Sequence, residues 1–287
     1  MIGMSTQPLI DAHFHVFDPR YPLPGNDGYM PPDFTVQDYR AATAGFDLRG
    51  GVVVAASTHG LDPNPLVAAV GELGPGFVAV INADPTLSDE ALHTLAGAGV
   101  RGLRHNLYRG VAASVEDELF LAERAWSVAG MHTQIYADVA LLRSFMGRLA
   151  KLGPRLVIDH LGMTEDGLPV VLDLVEAGAK VKATGFGRVA MDVPRALECI
   201  AARSASALMF GTDLPSTRAT RPFQASDIAL LRDVLGPDLA GLALHGNAAA
   251  YYRVPPLAAP PAEPRDVRVR DPDLGSRQEN AVDREGR

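Results

Sequence analysis

Asp11-Ala12-His13-Phe14-His15 places two imidazoles two residues apart. On an extended strand residues i and i+2 share a face, so both rings point the same way. Two inward-facing imidazoles need partners for four ring nitrogens, which makes them costly as core filling and points to a chemical use. Further along, Ile158-Asp159-His160-Leu161-Gly162 and Phe210-Gly211-Thr212-Asp213-Leu214-Pro215 each end a short apolar run with titratable side chains. A carboxylate such as Asp213 can take a proton from water attacking a carbonyl, while His13, His15 and His160 steady the oxygen that gains charge. The same four residues could instead hold one divalent ion, zinc or manganese.

Residues this far apart in sequence must be brought together by regular elements. Apolar runs such as Val52-Val53-Val54-Ala55 and Leu156-Val157-Ile158 are continuous, as in strands covered on both faces of a parallel sheet. Strands are expected at residues 9–15, 51–57, 77–81, 100–105, 132–136, 155–159, 179–183 and 207–211. Helix-like stretches between them include 64–73, 88–98, 115–129, 140–151, 194–203 and 225–235, with Gly130, Gly153 and Gly236 as stop signals. Eight strand–helix units predict an α/β fold, a single-domain (β/α)₈ TIM barrel, and 287 residues leave room for its roughly 250. No Gly-x-Gly-x-x-Gly follows a strand, which argues against a dinucleotide fold. The expected organisation is a flexible start at 1–8, a barrel at 9–254, and a disordered Pro- and charge-rich tail at 255–287.

In a barrel the C-terminal strand ends converge on one mouth. Besides the four residues above, these ends carry Ser57, His59, Arg104, His105, Tyr136 and Lys182, with Arg109 and Arg188 just beyond. Three arginines at one mouth imply a small anionic substrate, because guanidinium binds carboxylate bidentately. His132 begins a strand and reads as structural. A net charge of −8 without a basic stripe speaks against nucleic acid as a partner. No run approaches a membrane span and no leader pattern is evident, so the expected location is cytoplasmic with no membrane partner. The one cysteine, Cys199, allows no intrachain disulfide. A monomer and a homo-oligomer both remain open.

The ordered motifs Asp11–His15, Gly99-Val100-Arg101-Gly102-Leu103-Arg104, Ile158–Gly162, Phe210–Pro215 and Gly246-Asn247-Ala248-Ala249 resemble the amidohydrolase-related (amidohydrolase 2) family. Within it the likeness is greatest to the 2-pyrone-4,6-dicarboxylate lactonases and related sugar and muconolactone lactonases. That resemblance implies a carboxylic-ester hydrolase opening a carboxylated lactone. Asp213 would be the base that activates water, and His13, His15 and His160 would surround the reacting carbonyl. Tyr29, Ser57, His59, Arg104, Arg109, Tyr136 and Arg188 would bind substrate. The sequence departs from the family at Leu214-Pro215-Ser216, where Trp then Pro-His is common, and Arg109 stands for a displaced second arginine. The resemblance implies a metal-free site. The alternatives are a mononuclear zinc- or manganese-dependent hydrolase or decarboxylase of the same fold, and a catalytically inactive barrel that binds an anionic metabolite.

Overall fold

The computed structural model describes residues 7–111 and 115–254; the expected tail, 255–287, lies outside the described residues. Eight strands form one parallel sheet in sequence order. They are β1 Pro8–Phe14, β2 Asp47–Val54, β3 Phe77–Asn82, β4 Val100–Asn106, β5 His132–Tyr136, β6 Leu156–Ile158, β7 Lys180–Ala183 and β8 Leu208–Phe210. Nine α-helices are described: α1 Val36–Thr43, α2 Asn64–Leu73, α3 Asp89–Gly97, α4 Val115–Ala129, α5 Met146–Leu152, α6 Leu168–Glu176, α7 Val193–Arg203, α8 Ala225–Gly241 and α9 Asn247–Tyr252. This is the expected (β/α)₈ barrel. Among the described residues no helix is long and apolar enough to cross a membrane.

The barrel is joined between β1 and the chain just past β8. His15 N–H donates to Leu214 O at 2.8 Å and Asp213 N–H donates to His13 O at 2.7 Å. Asp11, fully buried, is the clamp of that seam. Its carboxylate accepts Thr212 N–H at 2.9 Å, Thr212 Oγ1–H at 2.7 Å and Tyr39 Oη–H at 3.1 Å. Gly211 is dictated by the same seam, since a Cβ there would lie 2.6 Å from the His13 backbone nitrogen. A one-carbon side chain would therefore push β1 and β8 apart beneath the site.

Local sequence explains the outer layer. Helix α7 buries Val193, Ala196, Leu197, Ile200 and Ala201, the i, i+3, i+4, i+7 stripe of an amphipathic helix, and Asp192 caps it by accepting Arg195 N–H. Helix α8 is kinked at Gly236, φ 71°, where Pro237 removes a donor, so Gly236 breaks the helix without ending it. Asn247 donates to Ala205 O and Leu208 O, both at 2.9 Å, which ties α9 to the start of β8.

Two expectations shift. Strand β2 runs Asp47–Val54, so Ser57 and His59 sit in a 3₁₀ turn rather than on a strand, because the His59 ring accepts the Ala56 N–H at 3.0 Å and bends the chain. Helices α1, α6 and α9 lie outside the expected segments. Helix α1 rests on a local signal, the capping box of Thr35 and Asp38. Helix α6 buries Leu168, Val170, Val171, Leu174 and Val175.

Candidate active site

Asp213 follows β8 in a left-handed conformation, φ 60°, which an Asp tolerates better than most residues. The turn buries the carboxylate at the barrel mouth, 1% exposed. Oδ2 accepts two N–H groups of Arg188, one of them at 2.9 Å. Oδ1 lies 3.6 Å from His15 Nε2 and 3.9 Å from His13 Nε2. Burial alone would raise the pKa of Asp213. Arg188 above all outweighs it and holds the carboxyl well below the usual carboxylate range.

The tautomer of His15 follows from its neighbours. Nδ1–H donates to Val54 O at 2.7 Å, so a neutral His15 turns the lone pair of Nε2 toward Asp213. His13 is wedged between two carboxylates, with Nδ1 3.4 Å from Asp159 Oδ1. Burial pushes its pKa well down, as it does for His160, which falls to about 3. The His160 ring lies 4.9 Å from that of His13 and 5.0 Å from that of Tyr136. Gly185 makes room for it, because a Cβ there would meet His160 Nδ1 at 2.7 Å. The four residues expected at the centre are thus brought together.

Above them opens a cleft lined by His15, Ser57, Arg104, Arg109, Tyr136, His160, Arg188 and others. Two of the expected substrate-binding residues are placed elsewhere. His59 packs on Phe17 at 5.1 Å and commits both nitrogens to the backbone, Nε2–H donating to Val16 O at 2.8 Å. It supports the wall rather than facing a ligand. Tyr29 lies outside the cleft lining and stacks on Arg218 at 4.2 Å. Arg104 and Arg188 line the cleft but are tied to carboxylates: Arg104 Nε donates to Asp159 at 2.9 Å, and Arg188 holds Asp213. His105 turns outward to Glu118 of α4.

Three site residues escaped the sequence reading. Asp159, beside His160 in the motif, pairs with Arg104 and faces His13. Asn106, the last residue of β4, lines the cleft with its Nδ2 buried and unbonded. Arg218, five residues past Asp213, reaches the cleft from the loop after β8. The neighbouring His160 and Asp213 were the signals that could have drawn attention to the first and last.

The profile of the family described as Amidohydrolase matches residues 10–254. The chain belongs to this family. Among curated relatives, the 2-pyrone-4,6-dicarboxylate hydrolase of Comamonas testosteroni is 31% identical over 156 residues, 53% of this chain and only 51% of that enzyme, so the chain matches about half of its length. The D-galactarolactone isomerase of Agrobacterium fabrum is 28% identical over 87% of this chain and 92% of that enzyme. A ligand-free Agrobacterium tumefaciens structure, 23% identical, superposes with a TM-score of 0.77 over 87% of this chain and 97% of its own, a likeness of fold.

Many amidohydrolases use a metal, and the donor set of this family member fits one. Ligand atoms of His13, His15 and Asp213 lie within 4.8 Å of one another, and so do those of His13, Asp159 and His160. His13 Nε2 and Asp213 Oδ1 are buried without a hydrogen bond. His160 therefore groups with Asp159, and not with His15 and Asp213 as the four-ligand expectation had it.

Burial of neutral imidazole also sets an acid limit on stability. His59 and His132 are pushed down to about 4 and about 3 by burial. Unfolded histidine takes a proton near pH 6.5. Each residue therefore contributes stability that is complete above that pH and is lost as pH falls toward its folded value. Asp11, raised to about 6 by burial, acts oppositely: folded, it is protonated at pH 5 while its unfolded counterpart is ionised. Two protons taken up on unfolding less one released leaves one, a loss of about 1.4 kcal/mol per pH unit near pH 5, to which His13 and His160 add. Urea midpoints measured from pH 7 to 4.5 should fall steadily; a constant midpoint would contradict the burial of neutral rings.

Proposed function

We propose that this amidohydrolase hydrolyses a lactone bearing a carboxylate, with Asp213 as the general base and no metal. The observation that carries the reading is the division of labour on Asp213: Arg188 takes Oδ2 and leaves Oδ1 beside two imidazole nitrogens. A water between Oδ1 and the His15 Nε2 lone pair finds an acceptor for each of its protons. Asp213 takes one proton as the water oxygen bonds to the lactone carbonyl carbon. Neutral His160 and the Asn106 amide would donate to the carbonyl oxygen as it gains charge. The ring C–O bond then breaks, and the departing oxygen receives the proton to give an open-chain acid. A substrate carboxylate that draws Arg188 away from Asp213 both uncovers the base and raises its basicity, which links binding to activation.

A metal-assisted reading is favoured by the unbonded ligand atoms. An ion held by His13, His15 and Asp213 would supply polarisation of the carbonyl and a more acidic water. Protein purified without added metal, assayed on a panel of mono- and dicarboxylated lactones with and without chelator, separates the two. Chelator-insensitive ring opening with no stoichiometric zinc or manganese is the expected result. An equimolar ion whose removal stops turnover would transfer the mechanism to the metal. Product analysis matters as well: a migrated lactone in place of an open acid would mark an isomerase, and CO₂ release a decarboxylase.

A further inference from the structure

Four guanidinium groups line the cleft: Arg104, Arg109, Arg188 and Arg218. Two have their charge cancelled on the spot, Arg104 by Asp159 and Arg188 by Asp213. Arg218 differs. Its Nη1 and Nη2 donate to Asn26 Oδ1 at 2.9 Å and Asn26 O at 2.6 Å, and its plane lies over the Tyr29 ring. These contacts fix the guanidinium but leave its charge uncompensated, because both acceptors are neutral amides. Among the described residues no carboxylate pairs with it. Its backbone is in the left-handed region, φ 59°, unusual for a long side chain and maintained here by the surrounding loops. Asn26 also donates from Nδ2 to Arg109 O at 3.2 Å, so one residue ties the loop after β1 to those after β4 and β8. Among the described residues Arg109 also has no carboxylate partner, but its guanidinium merely lies 5.1 Å over Tyr108.

We infer that Arg218, preset by Asn26 and Tyr29, selects substrates that carry a second anionic group in addition to the one met by Arg188. A prepositioned, partly buried and unneutralised guanidinium gains most from an anion that arrives with the ligand, since a charge-assisted pair forms with little loss of side-chain freedom. The inference rests on the lactonase reading for its kinetics but not for its binding, and the two are tested apart.

Calorimetric titration with isophthalate and with benzoate needs no turnover. The wild-type chain should bind isophthalate about tenfold more tightly than benzoate, a preference that Arg218→Gln reduces to about threefold or less. Asn26→Asp, which places a carboxylate against Arg218, should reduce it in the same way while Arg218 is still present. With 2-pyrone-4,6-dicarboxylate and 2-pyrone-6-carboxylate as a kinetic pair, Arg218→Gln should raise KM for the dianion about tenfold with little change in kcat, and affect the monoanion several-fold less. Equal isophthalate preference in wild type and Arg218→Gln, or no preference in wild type, overturns the assignment. Ring opening absent from every lactone, with the binding preference intact and dependent on Arg218, would remove the lactonase reading alone.

Discussion

Asp213→Asn is expected to lower kcat for lactone opening by about three orders of magnitude or more, leaving the chain folded. The amide is nearly isosteric and can still accept from Arg188, but it cannot take a proton from water. Asp213 Oδ1 is the carboxylate oxygen within 4 Å of both His13 and His15, so no neighbouring base can replace it without moving the water. Asp159 is the next carboxylate, and it lies on the far side of His13 and is engaged by Arg104. Isophthalate binding and the thermal midpoint serve as controls for folding. The pH dependence adds an independent check. Because Asp213 is ionised far below the usual carboxylate range, the acid limb of wild-type kcat/KM should not fall at an ordinary carboxylate pKa. An Asn variant within about tenfold of wild type would remove Asp213 from the base role.

The second large effect concerns stability. Arg104→Met should destabilise the fold by about 3–5 kcal/mol, because it strands the Asp159 carboxylate in the barrel interior. Arg104 is 3% exposed and Asp159 fully buried, so water cannot take the guanidinium's place. Burial by itself would raise the pKa of Asp159; Arg104 first, then His13 and Lys182, reverse this and hold it well below the usual range. Lys182 is the remaining cation, but burial depresses it to about 7, leaving it only partly charged at neutral pH. The double variant Arg104→Met/Asp159→Asn removes both charges and should recover much of the loss, as expected when the penalty is an unpaired buried charge rather than lost packing. Urea unfolding of the two single variants and the double variant measures this directly. A double variant no more stable than Arg104→Met would locate the effect in packing.

The barrel was legible because its signals are short-range. Continuous apolar runs such as Val52–Val54 and Leu156–Ile158 emerge as buried strands, and the stripe of α7 emerges as a buried helix face. Element bounds were less legible where side chains bond to the backbone. His59 pulls its segment into a turn by accepting the Ala56 N–H, an interaction invisible in a run of residue types. For the same reason His59, His105 and His160 look alike in sequence, each at or just past an expected strand end, although of the three only His160 lines the cleft with His15.

Residue types and their spacing along the chain determined the eight-strand barrel, the convergence of His13, His15, His160 and Asp213 at its mouth, and the supply of arginines around them. These follow from strand periodicity and from the rule that strand ends share one face of the barrel. Only the tertiary structure decided which arginine charges are already cancelled. Arg104 and Asp159 are 55 residues apart, Arg188 and Asp213 are 25 apart, and Arg218 meets Asn26 across 192 residues. Such pairings depend on where loops from opposite sides of the barrel close over the mouth, and no local pattern encodes that distance.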